Sequence, residues 1–143
     1  MNTIYQSLRW NELRVTAHAA AQHIPLKYGE AGAGGTRAIL IAGTHGDEGP
    51  WSALAIKMLC ERPVGQLKGR LRVIFTANAL AAEVERRNSW IDSPNSIDLD
   101  SVFPGNSEGS HTDRLAAAMA PLITDSDAVT AAWAGAREER ADG

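Results

Sequence analysis

The sequence predicts an α/β fold on a mixed sheet, and three observations point there. Residues 38–42, Ala-Ile-Leu-Ile-Ala, form a continuous apolar run bounded by turn residues, the pattern of a strand buried on both faces. A polar loop and then a helical apolar pattern follow it, and residues 71–75 are a second run rich in β-branched and aromatic side chains. Two buried strands joined through a helix imply a parallel pair with a right-handed crossover.

Taken in order, residues 14–18 and 24–28 read as short strands at a sheet edge, with residues 22–25 near their turn. His18 and His23 fall on these strands as surface or packing residues. Residues 29–35 are glycine-rich without the Lys-Ser/Thr ending of a phosphate cradle, so they are expected to be a flexible connection. After the strand at 38–42 and the loop at 43–49, Pro50 suits a first helical turn. Residues 51–61 then place Trp51, Leu54, Ala55, Met58 and Leu59 at helical spacing, the expected buried stripe. Pro63 ends that helix and residues 65–69 turn into the strand at 71–75. Residues 79–87 form a short helix or an ordered loop, and residues 88–110 are a long polar connection of the kind that carries function or disorder. A helix at 112–122, with Leu115, Ala118, Met119 and Leu122 on one face, leads to a third strand beginning at 128–132. Residues 135–143, rich in Ala, Arg and Glu, read as a solvated tail, so one domain is expected over residues 1–134.

Composition excludes several classes. With 143 residues, 44% hydrophobic and 22% charged, the chain can bury a core as one unit. A formal net charge of −3 offers no broad basic surface for nucleic acid. Cys60 is the only cysteine and lies in an apolar helical pattern, which suits a buried thiol and a reducing compartment. Residues 1–15 lack a signal-type apolar core, and the longest apolar stretch, 116–123, is far short of the roughly 20 residues of a membrane span. The chain is therefore expected to be cytoplasmic, with no membrane partner. Trp10, Trp51 and Trp90 are expected to pack rather than to serve as ligand platforms.

Chemistry concentrates in Gly43-Thr44-His45-Gly46-Asp47-Glu48, in the loop leaving the C-terminal end of a central strand, where open α/β sheets hold ligands. An imidazole and a carboxylate three residues apart, freed by flanking glycines, can turn toward one zinc ion. The alternative is a surface loop in which Glu48 caps the following helix. Further along stand Ala77-Asn78, Arg87 and Asp98-Leu99-Asp100-Ser101-Val102-Phe103-Pro104-Gly105.

In that order, these motifs resemble the succinylglutamate desuccinylase/aspartoacylase family of the zinc carboxypeptidase superfamily, over roughly residues 38 to 129. The resemblance implies a three-layer sandwich on a mixed, largely parallel sheet of the zinc-carboxypeptidase type. It also implies one zinc ion on His45 and Glu48, and hydrolysis of an amide or ester joining a small acyl group to an amino-acid-like molecule. By the same resemblance Arg87 polarises the scissile carbonyl or steadies its oxyanion, and Asn78, Asp98 and Asp100 fall at substrate-binding positions. Asn78 also reads as a turn residue bonding its own backbone.

Two departures stand out. Where the family carries Asp/Asn-Leu-Asn-Arg to grip a substrate carboxylate, this chain has Asp98-Leu99-Asp100-Ser101, so the clamp lacks its cation. Anion binding is expected to weaken by on the order of a few kcal/mol. The family's third zinc ligand is a histidine on the next strand, and an ungapped alignment sets Trp133 there; Glu138 and Glu139 lack the motif of the family's general base. His111 could supply the third ligand only by folding of the long loop over the site. The rival expectation is thus a truncated, catalytically incomplete remnant or a binding module, whose exposed sheet edge invites self-association.

Overall fold

The computed structural model describes residues 1–17, 22–48 and 50–131. Five strands form one sheet: β1 (Arg9–Thr16), β2 (His23–Gly32), β3 (Arg37–Ile41), β4 (Arg70–Ile74) and β5 (Ala128–Ala131), in the order β1-β2-β4-β3-β5. β1 and β2 are antiparallel, as are β2 and β4, whereas β3 runs parallel to both β4 and β5. The parallel pair expected from the two apolar runs is therefore present, joined through helix α1 (Trp51–Cys60). Helices α2 (Ala79–Glu83) and α3 (His111–Thr124) complete the regular elements, and two single 3-10 turns punctuate the 88–110 connection.

Alternation along the strands divides the core in two. Ile39, Ile41 and Ile74 face α3, packing with Leu115, Met119 and Leu122. Ala42, Leu71 and Val73 face α1, packing with Ile56, Cys60 and the N-terminal residues Ile4 and Leu8. Helices on both faces of a mixed sheet give the three layers.

Several expectations need correction. The hairpin strands are longer than 14–18 and 24–28, and the expected glycine-rich loop at 29–35 is half strand, because Gly29 to Gly32 pair with Val73 to Arg70. Glycine serves close approach there: a Cβ on Gly29 would sit 3.2 Å from the Leu8 side chain. On α1 the buried residues are Ser52, Ile56 and Cys60, not the larger apolar stripe. Trp51, Trp10 and Trp90 are accordingly exposed, at 66%, 52% and 48%. Cys60 is fully buried as expected. His23 is exposed, while His18, Trp133, Glu138, Glu139 and the expected tail lie outside the described residues. No helix among the described residues is long and apolar enough to cross a membrane.

Candidate metal centre

The site is built where β3 and β4 end. The chain leaving β3 is stitched to the exit of β4 by Ala77 N–H to the Ala42 carbonyl at 2.9 Å and Asn78 N–H to the Gly43 carbonyl at 2.8 Å. Gly43 adopts φ +66° with Thr76 backbone 2.9 Å from where a Cβ would stand, so only glycine makes this turn without strain. Gly46 is held as tightly, its missing Cβ falling 2.0 Å from the Ala81 carbonyl of α2. The loop is thus pressed between β4 and α2, and His45 is turned inward at 3% exposure.

Carboxylates bracket the His45 ring. Nδ1 lies 3.1 Å from Glu48 Oε1, while Nε2 lies 3.0 Å from Asp98 Oδ1 and 3.2 Å from Asp100 Oδ2. Glu48 is fixed by its surroundings: Oε1 also accepts from the His45 amide at 3.2 Å, and Oε2 accepts from Ser52 Oγ at 3.3 Å. Ser52 Oγ in turn accepts from the Gly43 amide at 3.3 Å. A neutral imidazole carries one ring proton, so one of its two nitrogens must set a lone pair against a carboxylate. A cation resolves that conflict, either as a second ring proton or as a metal ion.

The spacing suits a metal. His45 Nε2 and one oxygen each from Asp98 and Asp100 lie within 4.8 Å of one another. Ligands about 2.0–2.2 Å from a tetrahedral zinc stand roughly 3.3 Å apart, close to the separations found on both sides of the ring. The described residues therefore fit a divalent cation on the Nε2 face with Asp98 and Asp100, or on the Nδ1 face with Glu48. In either case the carboxylate on the far nitrogen fixes the tautomer and the ring plane.

Arg87 joins the cluster through Asp98. Its Nε and Nη2 both donate to Asp98 Oδ2, at 2.9 and 2.7 Å, and its side chain stays 55% exposed. Burial opposes the charge on Asp98, yet the His45 ring, the Asp100 amide and Arg87 hold its carboxyl below the usual carboxylate range. Burial pushes the Asp100 carboxyl up instead, with the charges of Asp98 and Glu48 adding to the rise against the pull of His45 and Arg87.

The structure thus brings His45, Glu48, Arg87, Asp98 and Asp100 together. Asp98 and Asp100, placed by sequence reasoning at the substrate, stand at ligand distance from the imidazole. Asn78 is fully buried and caps α2, its Oδ1 accepting from Ala81 N–H at 3.2 Å. His111 is buried at the start of α3 with its ring against the Thr16 backbone, and it is not among the residues that gather around His45. Ser52 was missed by sequence reasoning. The signal was its position four residues after Glu48, one turn further on, where a hydroxyl can reach back.

Comparisons with known proteins bear on this geometry. No protein-family model and no curated protein matches the sequence. An aspartoacylase family protein from Mesorhizobium loti matches over 87% of this chain at 29% identity, with a TM-score of 0.70. In sequence and fold the chain resembles the succinylglutamate desuccinylase/aspartoacylase family. A succinylglutamate desuccinylase from Silicibacter sp. shares the fold over the same 87%, at 22% identity and TM-score 0.73. The murein-tripeptide amidase of Escherichia coli O157 shares it more loosely, with 76% of this chain covered, 55% of that chain, 19% identity and TM-score 0.56. The chain spans 40% and 38% of the first two family members' lengths. In family terms His45 and Glu48 are the expected metal pair, and the present geometry adds Asp98 and Asp100 on the opposite side of the ring.

Proposed function

We propose that these residues form the metal-holding part of a zinc-dependent hydrolase. It would cleave an amide, or less favourably an ester, between a small acyl group and an amino-acid-like molecule. The observation that carries this reading is the buried His45 imidazole with carboxylates on both nitrogens and Arg87 anchored beside it. Zinc held there supplies a Lewis acid for a carbonyl oxygen and lowers the pKa of a bound water.

The protein's own residues do the rest of what the geometry supports. Glu48, locked by Ser52 and the His45 amide, keeps the imidazole from rotating. Asp98 binds the ring and the guanidinium at once, so the two are held at a fixed separation. Arg87 uses two of its donors on Asp98 and has others left for a developing oxyanion. Asp100 repels a second anion, which favours acylated substrates lacking a carboxylate at that end.

The missing cation of that clamp, with Ser101 at the arginine position beside an acidic Asp100, favours a second reading, a metal-binding module without turnover. Zinc content and affinity of the purified chain, beside His45→Ala and Asp98→Ala, test the metal site. Near-stoichiometric zinc that falls tenfold or more in the variants is expected, on the scale of lost ligands or their supports. Equal zinc in all three, or none in the wild type, rejects the site. Zinc-dependent turnover of N-acyl amino acids would then separate the hydrolase from the module.

A further inference from the structure

Asp100 is the one carboxylate of the His45 cluster left without a compensating charge. The short turn that carries it is fixed from two sides. Leu99 is fully buried in the core, and the Asp100 amide donates to Asp98 Oδ1 at 3.0 Å. Both carboxylates are thereby presented to the same ring nitrogen, His45 Nε2, Asp98 at 3.0 Å and Asp100 at 3.2 Å. That nitrogen offers at most one proton. Asp98 is the nearer acceptor and is already neutralised by Arg87, which directs both Nε and Nη2 at it. Among the described residues Asp100 forms no ion pair with a guanidinium or an ammonium, and its side chain keeps 36% exposure. Ser101 supplies no cation, and its hydroxyl is turned back to donate to the Asp98 carbonyl at 2.9 Å.

A carboxylate held in place, reachable from solvent and lacking a cationic partner attracts a cation and repels an anion. We propose that Asp100 is the specificity-determining residue of this site, selecting an acylated substrate that bears a protonated amine, such as a monoacylated diamine, over one that bears a carboxylate. The proposal rests on the metal-dependent reading above and assigns the metal to the Nδ1 side of His45, with Glu48. Asp100 lies on the other side of the ring, so it serves the remote end of the substrate and not the bond to be cleaved. The selected group is then a charge-assisted hydrogen-bond donor, which a neutral amide of the same length cannot replace.

Isothermal titration of the zinc-loaded chain with three amides tests this: a mono-N-acetylated diamine, an uncharged N-acetyl alkylamine of the same length, and an N-acetyl amino acid. Zinc affinity is measured alongside, for wild type, Asp100→Asn and the Asp100→Asn/Ser101→Arg double variant. In the wild type the diamine derivative is expected to bind about tenfold or more tighter than the uncharged amide, the scale of one charge-assisted hydrogen bond. Asp100→Asn should erase that preference and leave zinc affinity unchanged, because the Asp100 amide and not its carboxylate makes the turn. The double variant, with a cation restored at residue 101, should prefer the N-acetyl amino acid. Equal or undetectable binding of the charged and uncharged amides by a wild type that holds zinc overturns this proposal alone, as does a preference that survives Asp100→Asn. A loss of zinc of about tenfold in Asp100→Asn also overturns it, since that is the scale of a lost ligand or its support. A wild type that holds no zinc rejects the metal-dependent reading, and this inference with it.

Discussion

His111 shows how much a single buried side chain can impose. It is 1% exposed, its Nδ1 has no hydrogen-bond partner, and its ring meets the Thr16 carbonyl. Burial holds the imidazole below its ordinary range, with Arg114 adding to the effect and Asp92 and the Thr16 carbonyl opposing it. In the unfolded chain the ring titrates near pH ~6.5. Below that pH the unfolded chain takes up a proton that the folded ring resists, so folding stability should fall as pH falls, by at most about 1.4 kcal/mol per pH unit. Urea denaturation near neutral pH and about two units lower should show a larger loss for the wild type than for His111→Asn. Identical pH dependence in the two proteins would refute it. At this scale the sequence was informative where the chemistry is local. His45 and Glu48 are three residues apart and their glycines are visible. The approach of Asp98 to the same ring spans fifty-three residues, and only a family resemblance could suggest that they are neighbours.

At the level of elements, α3 forms as its pattern predicts, and its start is reinforced. Ser110 Oγ accepts from the Asp113 amide at 3.1 Å, while Asp113 accepts from the Ser110 amide at 3.0 Å, a reciprocal cap. Ser110→Ala should cost about 1 kcal/mol in chemical denaturation, and a change within error would show the cap to be redundant with Asp92. Asp92 Oδ1 accepts from the His111 amide at 3.0 Å, and its other oxygen accepts from the Thr112 hydroxyl. On α1 the pattern misled. Two faces of that helix satisfy a 3.6-residue period, and hydrophobicity favours the one with Trp51, Leu54 and Met58. The inward face holds Ser52, which looks polar in sequence but is buried to bond the Gly43 amide and Glu48. The demands of the loop set the helix's rotation.

Across the whole molecule, the mixed sheet is clasped at the end opposite His45 by charges. Arg72, paired to Glu30 at 3.5 Å and Asp125 at 3.4 Å, also donates to the Leu122 carbonyl at 3.1 Å. Asp125 collects Arg37 and Arg70 as well, at 3.0 and 2.8 Å, so the end of α3 is tied to β2, β3 and β4 together. Arg72→Met should destabilise by about 1.5–3 kcal/mol, the scale of a lost charged hydrogen bond; an unchanged urea midpoint would show the clasp to be ornamental. The alternation of strands made the sheet readable from sequence, but this clasp was not, because each of its charges alone looks like an ordinary surface residue.

Asp98 sits on the 88–110 connection, whereas the imidazole it holds belongs to the strand β3 loop. Any cation drawn between those two segments is therefore also a cross-link. Its binding free energy adds to the stability of the connection it closes, by thermodynamic linkage. Occupancy of the site and resistance of that stretch to cutting become two readings of a single equilibrium.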